Sequence, residues 1–233
     1  MANIVRSAKS GSDWTRSELD SYHITIHQVD HLLFFGLQEL PQPVIDQELL
    51  NILDADTMQQ DRNAELIGLL DLAMIPDKGE TAVDDFAVEL FKVLGYVRRQ
   101  RLARTRVDLP LLICGGQQFE PVNARAQLVA EAVAAFNENN AQRESMGLPP
   151  LVSKVMPGIV MVGTSPAFFK IPVTQTLSDH IAHGTYPPAE TQVTYCYPPV
   201  PRPARRRSEG MKPLDNRREM LKCYEAFKAI VGI

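Results

Sequence analysis

Between Gly79 and Phe136 the hydrophobic period switches from helical to alternating and back, and no other stretch limits the possible fold as tightly. Val83, Phe86, Ala87, Leu90 and Leu94 recur at three- and four-residue spacing. That spacing predicts a helix from about Glu80 to Leu94 with one stripe turned to a core. Thr81 can cap it, Asp84 and Asp85 fall in a first turn that favours acids, and Gly95 ends it. Tyr96 to Thr105 then carries Arg98, Arg99, Arg101 and Arg104, with Arg106 and Asp108 close behind. Leu109 to Cys114 is a short apolar run closed by Gly115 and Gly116, which reads as a buried strand. After Pro121, the residues Val122, Ala126, Val129, Val133 and Phe136 line one side of a second helix.

The flanking sequence extends the same alternation. Ser12 or Asp13 can cap a short helix, Trp14 to Ser21, and His23 to Val29 alternates as a strand does. Val44 to Leu53 and Asn63 to Met74 read as helices joined by a polar loop. Past the second central helix, Asn137 to Gly147 is polar and Pro149-Pro150 closes it. Gly158 to Thr164 is the strongest core strand, and Phe168 to Val173 is another, placed at an edge or end by Pro172. Thr176 to His183 reads as a helix, Gln192 to Tyr197 as a strand, and Asp215 to Val231 as a last helix. Pro198 to Arg207 reads as an extended, partly mobile proline- and arginine-rich excursion. The expected class is α/β, a mixed sheet flanked by helices. Residues 1–78 are expected as a lead-in packed on a core formed by 79–233, one compact domain overall.

A 45% apolar, 22% charged composition is ordinary for a globular chain, and a net charge of -4 excludes a generally basic nucleic-acid binder but not a local basic patch. Cys114, Cys196 and Cys223 fit neither a disulfide framework nor a metal knuckle, so they are expected as buried thiols. No apolar run approaches the ~20 residues of a membrane span, and the N-terminus lacks signal-peptide character. The expectation is an intracellular protein, cytoplasmic or nuclear, with no membrane partner.

Alternation places Arg104 and Arg106 on one strand face and Arg99 and Arg101 on the other. Guanidinium forks suit phosphate oxygens, so these four residues are candidates for contact with DNA or RNA. As a solvated edge strand, the same charges would serve to block aggregation. Arg205, Arg206 and Arg207 form a second patch that reads as solvated. Glu80, Asp84, Asp85 and Glu89 give the first helix an acidic face, with Glu80 and Asp84 spaced to flank a divalent cation. His27 and His31 have chelating spacing only on a helix, and no third ligand stands near them. Thr164-Ser165-Pro166 lacks the glycines of a nucleophile elbow.

Several runs together resemble one group. They are Gly79 to Ala87, Leu94-Gly95-Tyr96, Arg104-Thr105-Arg106 and Leu109 to Gly115, then Gln127 to Ala132, Pro157 to Pro166, Glu209-Gly210-Met211 and Asn216-Arg217-Arg218. The group is a set of mushroom-type fungal proteins that look like members of the PD-(D/E)XK nuclease superfamily, and the resemblance spans about Asp13 to Val231. It implies a restriction-endonuclease-like core in which an Asp strand and a Glu-x-Lys strand hold Mg2+ and activate water. A glutamate on the first helix supports the metal, and Glu80 stands at the matching place.

This chain departs from that pattern at the centre. Gly115 to Glu120 leads straight into the second helix, and no Lys occurs between Lys92 and Lys154. Both the Asp strand and the Glu-x-Lys strand are missing, which implies a core with a deletion. The expectation is a nuclease-like, catalytically degenerate domain that binds nucleic acid independently of sequence through its arginine strand. One alternative is an active nuclease that binds Mg2+ with substitute acids, drawn from Glu80, Asp84, Asp108 and Glu120. The other is a non-catalytic homo-oligomer in which a partner copy covers the exposed sheet edge.

Overall fold

The computed structural model describes residues 10–75, 79–97 and 121–233. Within them β1 (Ile24–Gln28), β2 (Ser153–Val162), β3 (Ser165–Thr174) and β4 (Thr191–Cys196) form one mixed sheet in the order β1-β4-β3-β2. β1 and β4 run parallel, whereas β4–β3 and β3–β2 are antiparallel. The class is therefore α/β, as the alternation of periods predicts. The two expected strands near Arg98–Thr105 and Leu109–Cys114 lie outside the described residues.

β2 and β3 are joined by Gly163 and Thr164 alone, with Gly163 at φ 55°. A two-residue hairpin needs a positive φ at its first central position, which glycine supplies without strain. Pro172 lies in an internal strand rather than at an edge. β4 pairs with β3 only over Phe168–Lys170, so the ladder stops short of Pro172 and the residue is tolerated there.

Strict alternation along the strands divides the core. Ile159, Met161, Phe168 and Cys196 face one side, and Val160, Ala167, Phe169, Val193 and Tyr195 face the other. The first side is covered by α2 (His31–Phe35), α3 (Gln47–Asn51), α4 (Asp61–Ala73), α5 (Gly79–Val93) and α9 (Leu214–Val231). The second is covered by α1 (Arg16–Ser21), α6 (Pro121–Ser145) and α7 (Gln175–Ala182). The predicted stripe of α5 is buried throughout, as are Met220, Tyr224 and Phe227 of α9. Phe168 packs edge-on against Tyr224 with ring centroids 5.0 Å apart and touches Phe227 at the same distance. Burying a ring of this size contributes roughly 1.5–3 kcal/mol before packing terms.

Three local expectations need correction. The first helix is capped by Thr15, not Ser12 or Asp13: Thr15 Oγ1 accepts from Ser17 N, and Glu18 reaches back to Thr15 N at 2.9 Å. α6 does not stop near Phe136 but runs to Ser145. Its polar second half is held by side chains: Asn140 Oδ1 accepts from Leu151 N, and Ser178 Oγ donates to Asn137 Oδ1 at 2.6 Å. Residues 198–207 are not an extended excursion. Pro203–Arg205 forms a 3-10 turn, α8 (Arg206–Glu209) follows it, and Val200 is buried.

Candidate functional site

On the α6 side of the sheet, next to the β2–β3 turn, a small surface cleft is lined by Arg125, Val160, Ser165, Phe169, Tyr197, Arg206 and Arg207, among others. Phe169 and Tyr197 give it an aromatic lining, and Tyr195 packs beneath. Tyr195 faces this side of the sheet and Tyr197 follows two residues later, with the rings edge-on at 5.4 Å. Phe169 of the paired strand stacks on Tyr195 at 5.2 Å and 16°.

Arginines sit over these rings. The Arg125 guanidinium lies 4.2 Å from the Tyr195 ring centroid and donates to Tyr197 Oη at 3.0 Å. The Arg206 guanidinium lies 3.4 Å from the Tyr197 centroid. Cation–π contacts of this kind restrain the guanidinium groups over the rings. Among the described residues no carboxylate pairs with Arg125, Arg206 or Arg207. Among the described residues the cleft is therefore a concentration of positive charge, on a chain of net charge -4.

α8, which carries two of the arginines, is fixed by a second constellation. Arg202 binds Asp215 through two bonds of 2.7 Å and Glu209 through a third of 2.7 Å. The Arg202 fork holds the Asp215 carboxyl down at about 2, below its ordinary 3.8. Asn216 Nδ2 donates to Gly210 O at 3.1 Å, and Thr164 Oγ1 accepts from Met211 N at 3.0 Å. Arg217 is 2% exposed and donates to the carbonyls of Met211, Leu49, Ile52, Leu53 and Lys212. Three of these close the C-terminal end of α3, whose carbonyls have no partner within the helix. Burial pulls the Arg217 guanidinium down to about 10, which leaves it charged near neutrality. The Thr164-Ser165-Pro166, Glu209-Gly210-Met211 and Asn216-Arg217-Arg218 runs thus meet as one scaffold behind the cleft.

The residues singled out in the sequence fall elsewhere. Arg99, Arg101, Arg104, Arg106, Asp108 and Glu120 lie outside the described residues, as does Cys114. Glu80 stands in the first turn of α5, and Asp84 lies one turn further, half-buried. Glu89, from the same acidic face, pairs with Lys92 at 2.9 Å and Arg62 at 3.5 Å. His27 ends in a strand while His31 opens α2 behind the Asp30 cap, so their helical chelating spacing is not realised. Among the described residues no three His, Cys, Asp or Glu side chains are arranged to hold a metal. Cys196 and Cys223 are buried free thiols, as expected, and burial raises both above the ordinary thiol range. Among the described residues no helix is long and apolar enough to cross a membrane.

Arg125 carries no sequence signal of its own, because one arginine in the first turns of a helix is commonplace. Tyr195 and Tyr197 did leave a trace: aromatic residues two apart at a strand end share a face. Arg206 and Arg207 read as solvated until α8 placed them over that face. No family model matches the chain, and no curated protein or solved structure shows significant similarity to it.

Proposed function

We propose that the protein is a nuclease-like α/β domain without a hydrolytic centre that binds single-stranded DNA or RNA irrespective of sequence. The observation that carries this reading is the arginine–tyrosine cleft lined by Arg125, Arg206, Arg207 and Tyr197, with buried Tyr195 beneath Arg125. Guanidinium forks match phosphate oxygens two at a time. Contact with the Tyr195 and Tyr197 rings restrains Arg125 and Arg206, and aromatic rings and guanidinium planes are the surfaces on which unstacked bases stack. Phosphates and base faces are common to every nucleotide, so such a site reads chain chemistry and not base identity. Duplex bases present no free face, which favours single strands. The loss of hydrolysis rests on the sequence, where the Glu-x-Lys pattern and its lysine are missing between Lys92 and Lys154.

The test is fluorescence anisotropy with two labelled oligonucleotides of unrelated sequence, titrated across a KCl series. Similar affinities are expected for both, with a log–log salt slope of about -2 from roughly three phosphate contacts at -0.7 each. Arg125→Gln with Arg206→Gln should bring the slope to about -0.7 while the melting temperature stays close to that of the parent. Absence of binding at low salt, or an unchanged slope in the double variant, overturns the reading.

A further inference from the structure

Ser208 closes the run Arg205-Arg206-Arg207-Ser208 in α8, beside the arginine cleft. Its side chain is exposed, and its hydroxyl makes only a local bond, donating to Arg205 O at 3.1 Å. Arginines two and three residues before a serine are the charge pattern that basophilic protein kinases bind with acidic pockets. Here Arg206 and Arg205 hold those places. α8 is one turn long and has no side-chain cap at its N-terminus. Such a turn has little stability of its own, and with the Arg202–Glu209 pair at its C-terminal end released it opens to the extended form a kinase requires.

We propose that Ser208 is a phosphorylation site for a basophilic protein kinase, and that its phosphate is captured by Arg206 and Arg207 and shuts the cleft to nucleic acid. In the modification Ser208 Oγ attacks the γ-phosphorus of ATP. The new Oγ–P bond forms as the bond from that phosphorus to the β–γ bridging oxygen breaks. ADP departs, and the hydroxyl proton passes to the kinase's base. The product adds about -1.5 to -2 charges and strong acceptor oxygens within two residues of both guanidinium groups. On a helix, residues one and two apart do not face each other, so capture of the phosphate by Arg206 and Arg207 goes with opening of the one-turn, uncapped α8. The phosphate takes up the same forks that a nucleotide phosphate would use. The final step, closure to nucleic acid, rests on the function proposed above.

The experiment takes the full chain, ATP and the catalytic subunit of a basophilic kinase, with three readouts. Mass spectrometry should find a single phosphoryl group on Ser208 and none in Ser208→Ala. Phosphorus NMR titration should give a second phosphoserine pKa below that of the unfolded peptide of the same sequence, which is about 6. Oligonucleotide affinity should fall roughly tenfold, with a shallower salt slope. No incorporation at Ser208 overturns the site, and a peptide-like pKa overturns capture by the arginines. Unchanged affinity in fully phosphorylated protein overturns closure. Failure of unmodified protein to bind oligonucleotide counts against the proposed function and its closure step alone, while the first two readouts still decide modification and capture.

Discussion

The Thr164 hydroxyl occupies the space where a side chain on Gly210 would begin: a Cβ built on Gly210 falls 2.0 Å from Thr164 Oγ1. Gly210 also has φ 50°, in the left-handed region, and the adjacent Met211 N donates to the same hydroxyl at 3.0 Å. The β2–β3 turn and the α8–α9 junction therefore lock only with glycine at 210. Gly210→Ala should cost about 2–4 kcal/mol and lower the melting temperature by roughly 5–15 °C. In a Thr164→Ala background the same change should cost at least ~1 kcal/mol less, because the closest clashing atom is gone. Additive losses in this double-mutant cycle would show that the contact does not set the requirement.

Arg217 makes bonds that no other side chain can reproduce from its position. Lysine carries three donors on a point charge, so Arg217→Lys leaves several buried carbonyls of the α3 end and the 211–212 segment without partners. The expected loss is about 3–5 kcal/mol by chemical denaturation. Arg218, whose bonds to Leu50 O and Asn51 Oδ1 are exposed, should cost less than ~1 kcal/mol when changed to Lys. Equal losses at the two positions would contradict the distinction drawn from burial.

The Arg202–Asp215 fork gives stability a defined acid dependence. Asp215 titrates at about 2 in the folded chain and near its ordinary 3.8 when unfolded. Between those values the unfolded state binds more protons, so stability rises with pH. The contribution is present above about pH 4 and is lost as pH falls towards about 2. Asp215→Asn should therefore melt below the parent at pH 6, with the gap closing in scans taken down to pH 2. A gap that stays constant over this range would remove the fork from acid stability.

Phosphodiester hydrolysis of the superfamily type needs two carboxylates on a metal and a cation beside the attacking water. Arginine cannot carry the proton near neutrality, since its pKa exceeds ~12. Each missing contribution of this kind is worth roughly a hundredfold or more. The pure protein should leave supercoiled plasmid and single-stranded RNA intact in Mg2+ on gels read over hours. Robust cleavage that vanishes in Glu80→Ala would establish a rebuilt metal centre using substitute acids.

Local order was legible in the sequence because it depends on neighbours three to four residues apart. The stripes Val83–Phe86–Leu90 and Met220–Tyr224–Phe227 are buried as their spacing predicts, and Ile159–Val162 forms a core strand. The ends of elements were less legible, because side chains from distant segments decide them. Asn137 and Asn140 continue α6 only by bonding Ser178 and the Leu151 backbone. Candidate chemistry was least legible of all. The arginines at 98–106 were conspicuous as a run, and they lie outside the described residues. Arg125 is separated by many residues from Tyr197 and Arg206 in the chain, and only the packing of α6, the end of β4 and α8 brings the three together. Sequence by itself determined the periods, and with them the α/β class and the faces that must be buried. Tertiary structure alone decided which charges meet without an acid partner among the described residues, because the electrostatics of a cleft depend on distances that chain spacing does not encode.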